Sequence, residues 1–293
     1  GSKGVTTKED DFTEHLFVAQ AHNYLLIFTA FGKVYWKKVY EIPEGSKTSK
    51  GRAIQNLLNI EAGDTVRAVL KIKDLTDEEY IHSNYVILCT QKGTIKKTSL
   101  SAYSRPRANG ITAITVHEGD KLLTAALTNG QNHILIAKSE GKAVHFDESD
   151  VRPMGRTASG VRGTTLESAT DKVVGMICIT SLDANVLVVS EKGYGKRSSI
   201  ADYRITRRGG KGVKTINITE KTGKLVAIKE VADEDELMII NRSGISIRIK
   251  VDELRIMGRA TQGVRLIKLN EDDAISSVEK IRKMEEPDST ITE

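Results

Sequence analysis

The sequence predicts an all-β protein, a propeller-like ring of four-stranded blades forming one closed body. Three observations carry that prediction. A strand–turn–strand unit recurs five times at near-constant spacing. A second glycine follows each turn at an almost fixed offset. Period-2 alternation and β-branched residues dominate these segments, and no long stretch keeps a 3.6-residue apolar period.

The five hairpins begin at Tyr24, Val86, Ile134, Val186 and Leu237. Their turn glycines, Gly32, Gly93, Gly141, Gly193 and Gly244, are 61, 48, 52 and 51 residues apart. The second glycines, Gly51, Gly110, Gly160, Gly212 and Gly263, follow at offsets of 19, 17, 19, 19 and 19. Glycine held in register points to positive φ or to close strand packing. A short third strand follows each, as in G-I-T-A-I-T-V from Gly110, and a polar turn then leads to a fourth, as in K-L-L-T-A-A-L from Lys121. Such a unit cannot bury both faces alone, so neighbours must stack. Tandem β-sandwiches are the alternative; constant spacing without linkers favours one body.

One domain over residues 1–281 is therefore expected, with repeats at 22–82, 83–130, 131–182, 183–233 and 234–281. A half repeat, 3–21, precedes them: Gly4 lies 47 residues before Gly51, in the register of a second glycine. The chain thus starts midway through a repeat whose first hairpin is absent, which implies a first blade truncated from a larger protein. The acidic insertion Asp74 to Tyr80 accounts for the longer first spacing and reads as an exposed loop. Residues 282–293 read as an acidic, disordered tail.

Composition removes several function classes. No run approaches the ~18 apolar residues of a membrane span, so no membrane role is expected. Cys89 and Cys178 stand alone, without a C-x-x-C, and read as small buried hydrophobes in a reducing, cytoplasmic compartment. The histidines (His15, His22, His82, His117, His133 and His145) show no metal-ligand spacing, and most read as surface or edge-strand residues; no metal is expected. Gly193-Tyr194-Gly195 is a turn. Arg207 to Gly212, R-R-G-G-K-G, lacks the spacing of a nucleotide phosphate loop. No nucleophile elbow is present, and no catalytic residue is expected.

The placement of charge says more than the net +5. Basic residues gather in the connection around each second glycine. They are Lys47, Lys50 and Arg52; Arg105 and Arg107; Arg152, Arg156 and Arg162; Arg204, Arg207, Arg208, Lys211 and Lys214; and Arg255, Arg259 and Arg265. The windows 45–52, 103–110, 151–162, 203–214 and 254–265 hold 52 residues, sixteen basic and none acidic, where average density would put about seven acids. Salt-bridged solvent faces mix signs, so this pattern predicts a basic band around the body. Arginine and glycine in tight loops suit phosphate, and the scarcity of aromatics disfavours single-strand stacking. Sequence-tolerant binding of double-stranded DNA is the reading that fits.

Five segments carry a family resemblance: E-D-D-F (Glu9 to Phe12), V-Y-E-I-P-E (Val39 to Glu44), Y-S-R-P-R-A-N-G-I (Tyr103 to Ile111), V-R-P-M-G-R-T-A-S-G-V-R-G (Val151 to Gly163) and M-G-R-A-T-Q-G-V (Met257 to Val264). From Lys3 to about Ile281 the chain resembles the C-terminal domain of the DNA gyrase A protein, and more distantly that of the topoisomerase IV A protein. Glu44 to Arg52 resembles the Bacteroidetes branch. The resemblance implies a six-bladed β-pinwheel with strands exchanged between blades. It implies a rim that wraps or bends duplex DNA so that the enzyme, an ATP-dependent isomerase, can introduce negative supercoils. The implied partners are the N-terminal breakage-reunion part of the gyrase A protein and the ATPase-bearing gyrase B protein, together in a heterotetramer. ATP and Mg belong to that holoenzyme, and no cofactor is expected on this chain.

The family's gyrase box, Q-R-R-G-G-K-G, normally sits in the first blade. Here Lys3-Gly4 falls at its last two positions. Arg207, Arg208, Gly209, Gly210, Lys211 and Gly212 match six of its seven positions, with Thr206 where glutamine is expected. A topoisomerase IV domain selecting substrate topology, or a propeller that docks proteins, remains as an alternative.

Overall fold

The first four hairpins turn at glycines, Gly32, Gly93, Gly141 and Gly193, that the fold requires twice over. Gly93 has φ of 97°, and a Cβ there would lie 2.8 Å from the Thr164 carbonyl oxygen. The structure, a computed structural model, describes residues 23–39 and 57–281. The first repeat forms β1 (Tyr24–Thr29), β2 (Lys33–Lys38) and β3 (Val66–Ile72). After helix α1 (Glu78–Ser83), the second forms β4 (Tyr85–Thr90), β5 (Thr94–Ser99), β6 (Ile111–Thr112) and β7 (Leu122–Thr128). The third forms β8 (His133–Lys138), β9 (Lys142–Asp147), β10 (Val161–Arg162) and β11 (Val173–Ile179). The fourth forms β12 (Asn185–Ser190), β13 (Tyr194–Ser199), β14 (Ile205–Thr206), β15 (Val213–Lys214) and β16 (Leu225–Val231). The fifth forms β17 (Glu236–Asn241), β18 (Ser246–Lys250), β19 (Val264–Arg265) and β20 (Ile275–Ile281).

The first four sheets share one plan: a hairpin with the repeat's last strand on its inner side and a strand from the next repeat on its outer side. The orders are β3-β1-β2-β6, β7-β4-β5-β10, β11-β8-β9-β14 and β16-β12-β13-β19, with β15 also on β9. The third strands are shorter than the sequence suggests, two residues each. Their ladder stops where two successive amides converge on the turn glycine of the blade before. Ala113 and Ile114 both donate to the Gly32 carbonyl, Gly163 and Thr164 to Gly93, and Thr215 and Ile216 to Gly141.

Inner strands β3, β7, β11, β16 and β20 contribute to one channel, lined by residues such as Arg67, Leu123, Met176, Lys229 and Glu279. The hairpin strands of the first four blades are buried on both faces and alternate between two core layers. In β12, Val186 and Val188 pack with Leu135 and Ala137 of the third blade, while Leu187 and Val189 pack with Leu237 and Ile239 of the fifth. That is the period-2 geometry of a strand sandwiched between neighbours. Burial also raises the Cys89 thiol to about 12, which makes it an inert core residue.

Three expectations change. The described residues form five blades where six were expected, and the fifth sheet, β18-β17-β20, has three strands among them. The half repeat 3–21 and the tail 282–293 lie outside the described residues. The acidic insertion is partly helical rather than a plain exposed loop. Asp77 caps α1 by accepting from the Tyr80 amide at 3.1 Å, Glu78 and Glu79 favour its first turn, and Leu75 and Ile81 enter the core. His145 is buried rather than at a surface, for a reason that belongs to the rim. No helix among the described residues is long and apolar enough to cross a membrane.

Candidate nucleic-acid interface

Strand exchange places the four described basic windows at the outer edges of the first four blades, because each of these windows flanks the strand that its repeat donates to the blade before. Arg105, Arg107, Arg152, Arg162, Arg204, Arg207, Arg208, Lys211, Lys214, Arg255 and Arg265 are exposed, and Arg156 and Arg259 are half-buried. Lys47, Lys50 and Arg52 lie outside the described residues. The second and third windows share a depression lined by Arg105, Arg107, Asn109, Gly110 and Arg156. Among the described residues no group of three or more His, Cys, Asp or Glu side chains could hold a metal ion.

The residues that open three of the windows, Tyr103, Tyr203 and Leu254, are anchored from below. The Trp36 indole donates to the Tyr103 carbonyl at 2.8 Å, His145 Nδ1 to that of Tyr203 at 2.9 Å, and Arg197 Nε to that of Leu254 at 2.7 Å. These donors stand at one register, four residues after their turn glycines. This is why His145 is buried, and burial lowers its pKa below the ordinary value. Lys97, at the same register, instead pairs with the buried Glu148 at 2.9 Å and lies over the Tyr85 ring. Glu148 also accepts from Thr128 and from the Asn132 amide. Tyr103 and Tyr203 are buried pins rather than stacking platforms: their hydroxyls bond the Ala113 carbonyl and the Thr215 hydroxyl.

A second set of groups, missed in the sequence, holds the loops from beneath. Buried Lys96 donates to the carbonyls of Ala113 and Arg156. Lys138 donates to those of Thr165 at 2.6 Å and Lys211 at 2.8 Å. Lys196 donates to Gly258 at 2.9 Å, Arg259 at 2.5 Å and Thr261 at 2.6 Å. Burial, with a lesser push from nearby Arg156, lowers Lys96 to about 7; burial, with Arg259, lowers Lys196 to about 8; burial also lowers Lys138. The available signal was a lysine at one register of the hairpin's second strand, three residues after Gly93 and again after Gly193.

Three window arginines link neighbouring loops. Arg156 donates to the Thr112 carbonyl. Arg208 donates to the carbonyls of Asp150 and Arg162, both at 3.1 Å, and Arg259 to those of Asp202 and Lys214, both at 2.9 Å. A guanidinium has five N–H donors, so each retains some for an anion. The glycines of the box-like loop serve packing as well. The Gly209 amide donates to Gly163 at 2.8 Å, and the Gly209 and Gly210 carbonyls accept from Thr165 and Thr164. Gly212 abuts the Ala143 backbone, where no Cβ would fit.

Among the described residues the result is a row of positively charged loops, the last three of them each linked to the loop before. This arrangement suits an extended polyanion better than a small ligand. The family model described as DNA gyrase C-terminal domain, beta-propeller, matches residues 23–73, 84–129, 132–180, 184–232 and 235–282. The DNA gyrase A protein of Staphylococcus aureus (strain MRSA252) is 41% identical over 299 residues, covering 100% of this chain and 33% of that protein. Its counterpart in strain NCTC 8325 is 42% identical over 284 residues, covering 97% of this chain and 32% of that protein. The chain thus spans about a third of the length of these relatives. Among solved structures, a DNA topoisomerase IV C-terminal domain aligns with TM-score 0.78 and 25% identity over 89% of this chain and 80% of that one. A DNA gyrase A C-terminal domain aligns with TM-score 0.78 and 23% identity, over 96% of this chain and 91% of that one.

Proposed function

The chain belongs to the DNA gyrase C-terminal domain family, and from that premise we propose that its rim binds duplex DNA and bends it around the blades. The carrying observation is the run of exposed basic residues at the outer edges of consecutive blades, in windows without one acidic residue. Such a surface takes its affinity from phosphate contact and counterion release, largely without regard to sequence. The residues proposed to touch phosphate are the exposed members of the windows, with the densest set at Arg204 to Lys214. Arg156, Arg208 and Arg259 contribute while also holding the loops.

In the parent enzyme this domain supplies DNA geometry rather than bond chemistry. Breakage and rejoining belong to the remainder of the gyrase A protein. ATP-driven strand passage, with its Mg, belongs to the assembly with the gyrase B protein in the bacterial cytoplasm. The equal TM-score to a topoisomerase IV domain supports a second reading, in which the same rim selects DNA crossings rather than driving supercoiling. The test is to ligate nicked circular DNA with the domain bound and count linking number after its removal. A linking difference that grows with bound domain is expected; an unchanged distribution at saturating binding would overturn wrapping.

A further inference from the structure

Besides cations, one class of exposed side chain recurs on the rim. Pro153 is exposed, as are Ile205 at 50% and Ile256 at 52%. Each follows directly after an exposed arginine, Arg152, Arg204 or Arg255, and two residues after a buried anchor, Val151, Tyr203 or Leu254. All three stand at one station. Each pairs in parallel with the outer hairpin strand of the blade before: Pro153 with Lys97, Ile205 with His145 and Ile256 with Arg197. For the two isoleucines, the preceding anchor carbonyl is held by the same side chains, His145 and Arg197.

A single exposed isoleucine is ordinary. Three apolar residues at one register, on hydrogen-bonded backbone, each beside an arginine and in a window that holds no acid, form a surface with two kinds of contact. We propose that Pro153, Ile205 and Ile256 are apolar seats for the deoxyribose faces of the duplex backbone, each working beside the arginine that takes the adjacent phosphate. This inference rests on the duplex-binding reading above. The sugar is the apolar part of a DNA strand, and it alternates with phosphate as these side chains alternate with guanidinium groups. The seats add a salt-independent part to the affinity and fix the spacing of the duplex from the rim, whereas the cations supply the salt-dependent part.

The test measures duplex affinity across salt for the parent, for Ile205→Ser with Ile256→Ser, and for Ile205→Val with Ile256→Val. Ile245→Ser, an exposed isoleucine outside the windows, is the control. The double serine variant should bind about tenfold more weakly at every salt concentration, with the slope of log K against log[salt] unchanged. The valine pair should keep most of the affinity, and Ile245→Ser should match the parent. A serine pair that binds like the parent overturns the seats and leaves duplex binding standing. A serine pair whose slope falls also overturns them, because the isoleucines would then act only by placing arginines. A parent that fails to bind duplex overturns the functional reading itself, and the seats with it.

Discussion

Loops 203–214 and 254–265 occupy the same position on successive blades and are held differently. Loop 254–265 is gripped from below, where Lys196 of β13 donates to three of its carbonyls. Loop 203–214 receives one such bond, from Lys138 of β8 to Lys211, because Val144 stands at the register that Lys196 occupies in its blade. It compensates sideways. Gly209 and Gly210 dock on Gly163, Thr164 and Thr165 of the preceding loop. The loop held sideways also carries five basic residues against three. The path of a rim loop is therefore fixed by interchangeable means, which leaves its outward charge free to vary from blade to blade.

The largest effect should come from the grip itself. Lys196→Met leaves the carbonyls of Gly258, Arg259 and Thr261 without their donor and should cost roughly 3 kcal/mol; Lys138→Met should cost about 1–2 kcal/mol. Urea unfolding of the two variants checks this. Equal losses would mean that both loops depend on their lysines alike, and the distinction would fall.

DNA binding should reverse the ranking. Arg207, Arg208 and Lys211 changed together to Ala should reduce the salt slope by about 3, while Arg255 and Arg265 changed to Ala should reduce it by about 2. Alone, Arg208→Ala should give less than Arg207→Ala, because two of its donors already serve the Asp150 and Arg162 carbonyls. Exposed charges contribute only ~0–1 kcal/mol each to stability, so folding should change little. Salt titrations of these variants sharpen the comparison, and equal slopes in both loops would break it.

These contrasts also mark what the sequence could convey. Gly93, Gly141 and Gly193 located the hairpins because a positive-φ turn has few substitutes. The acid-free windows located the rim because charge needs no folding to be counted. The partner of Ile111–Thr112 could not be read, since a two-residue strand has too little pattern to choose between its own hairpin and a neighbour's. The roles of Lys96 and Lys196 could not be read, since only the fold brings carbonyls to them. Arg156, Arg208 and Arg259 read as phosphate ligands, and the structural bonds they also make to neighbouring loops were not read.

A smaller effect separates the grips by pH. Lys96 is lowered from 10.5 to about 7 and Lys196 to about 8. Below those values both folded and unfolded chains hold the proton, so these lysines add no pH dependence. Above them the unfolded chain holds a proton that the folded chain has released. Their contribution to stability therefore rises with pH from there toward 10.5. Urea midpoints between about pH 6.5 and 9.5 should show that rise, and Lys196→Met should remove its share above about pH 8. A Lys196→Met profile parallel to the parent's would remove Lys196 from the account.

The central claim is that one continuous basic rim, and not a single loop, holds duplex DNA. Its most direct measurement is the affinity of the unaltered domain for a long duplex across a salt series. If about half of the sixteen window residues meet phosphate, log K against log[salt] should have a slope of roughly −7, at ~0.9 per neutralised phosphate. A slope shallower than about −2 would mean that no more than two phosphates are engaged, and would contradict a rim that binds along its length.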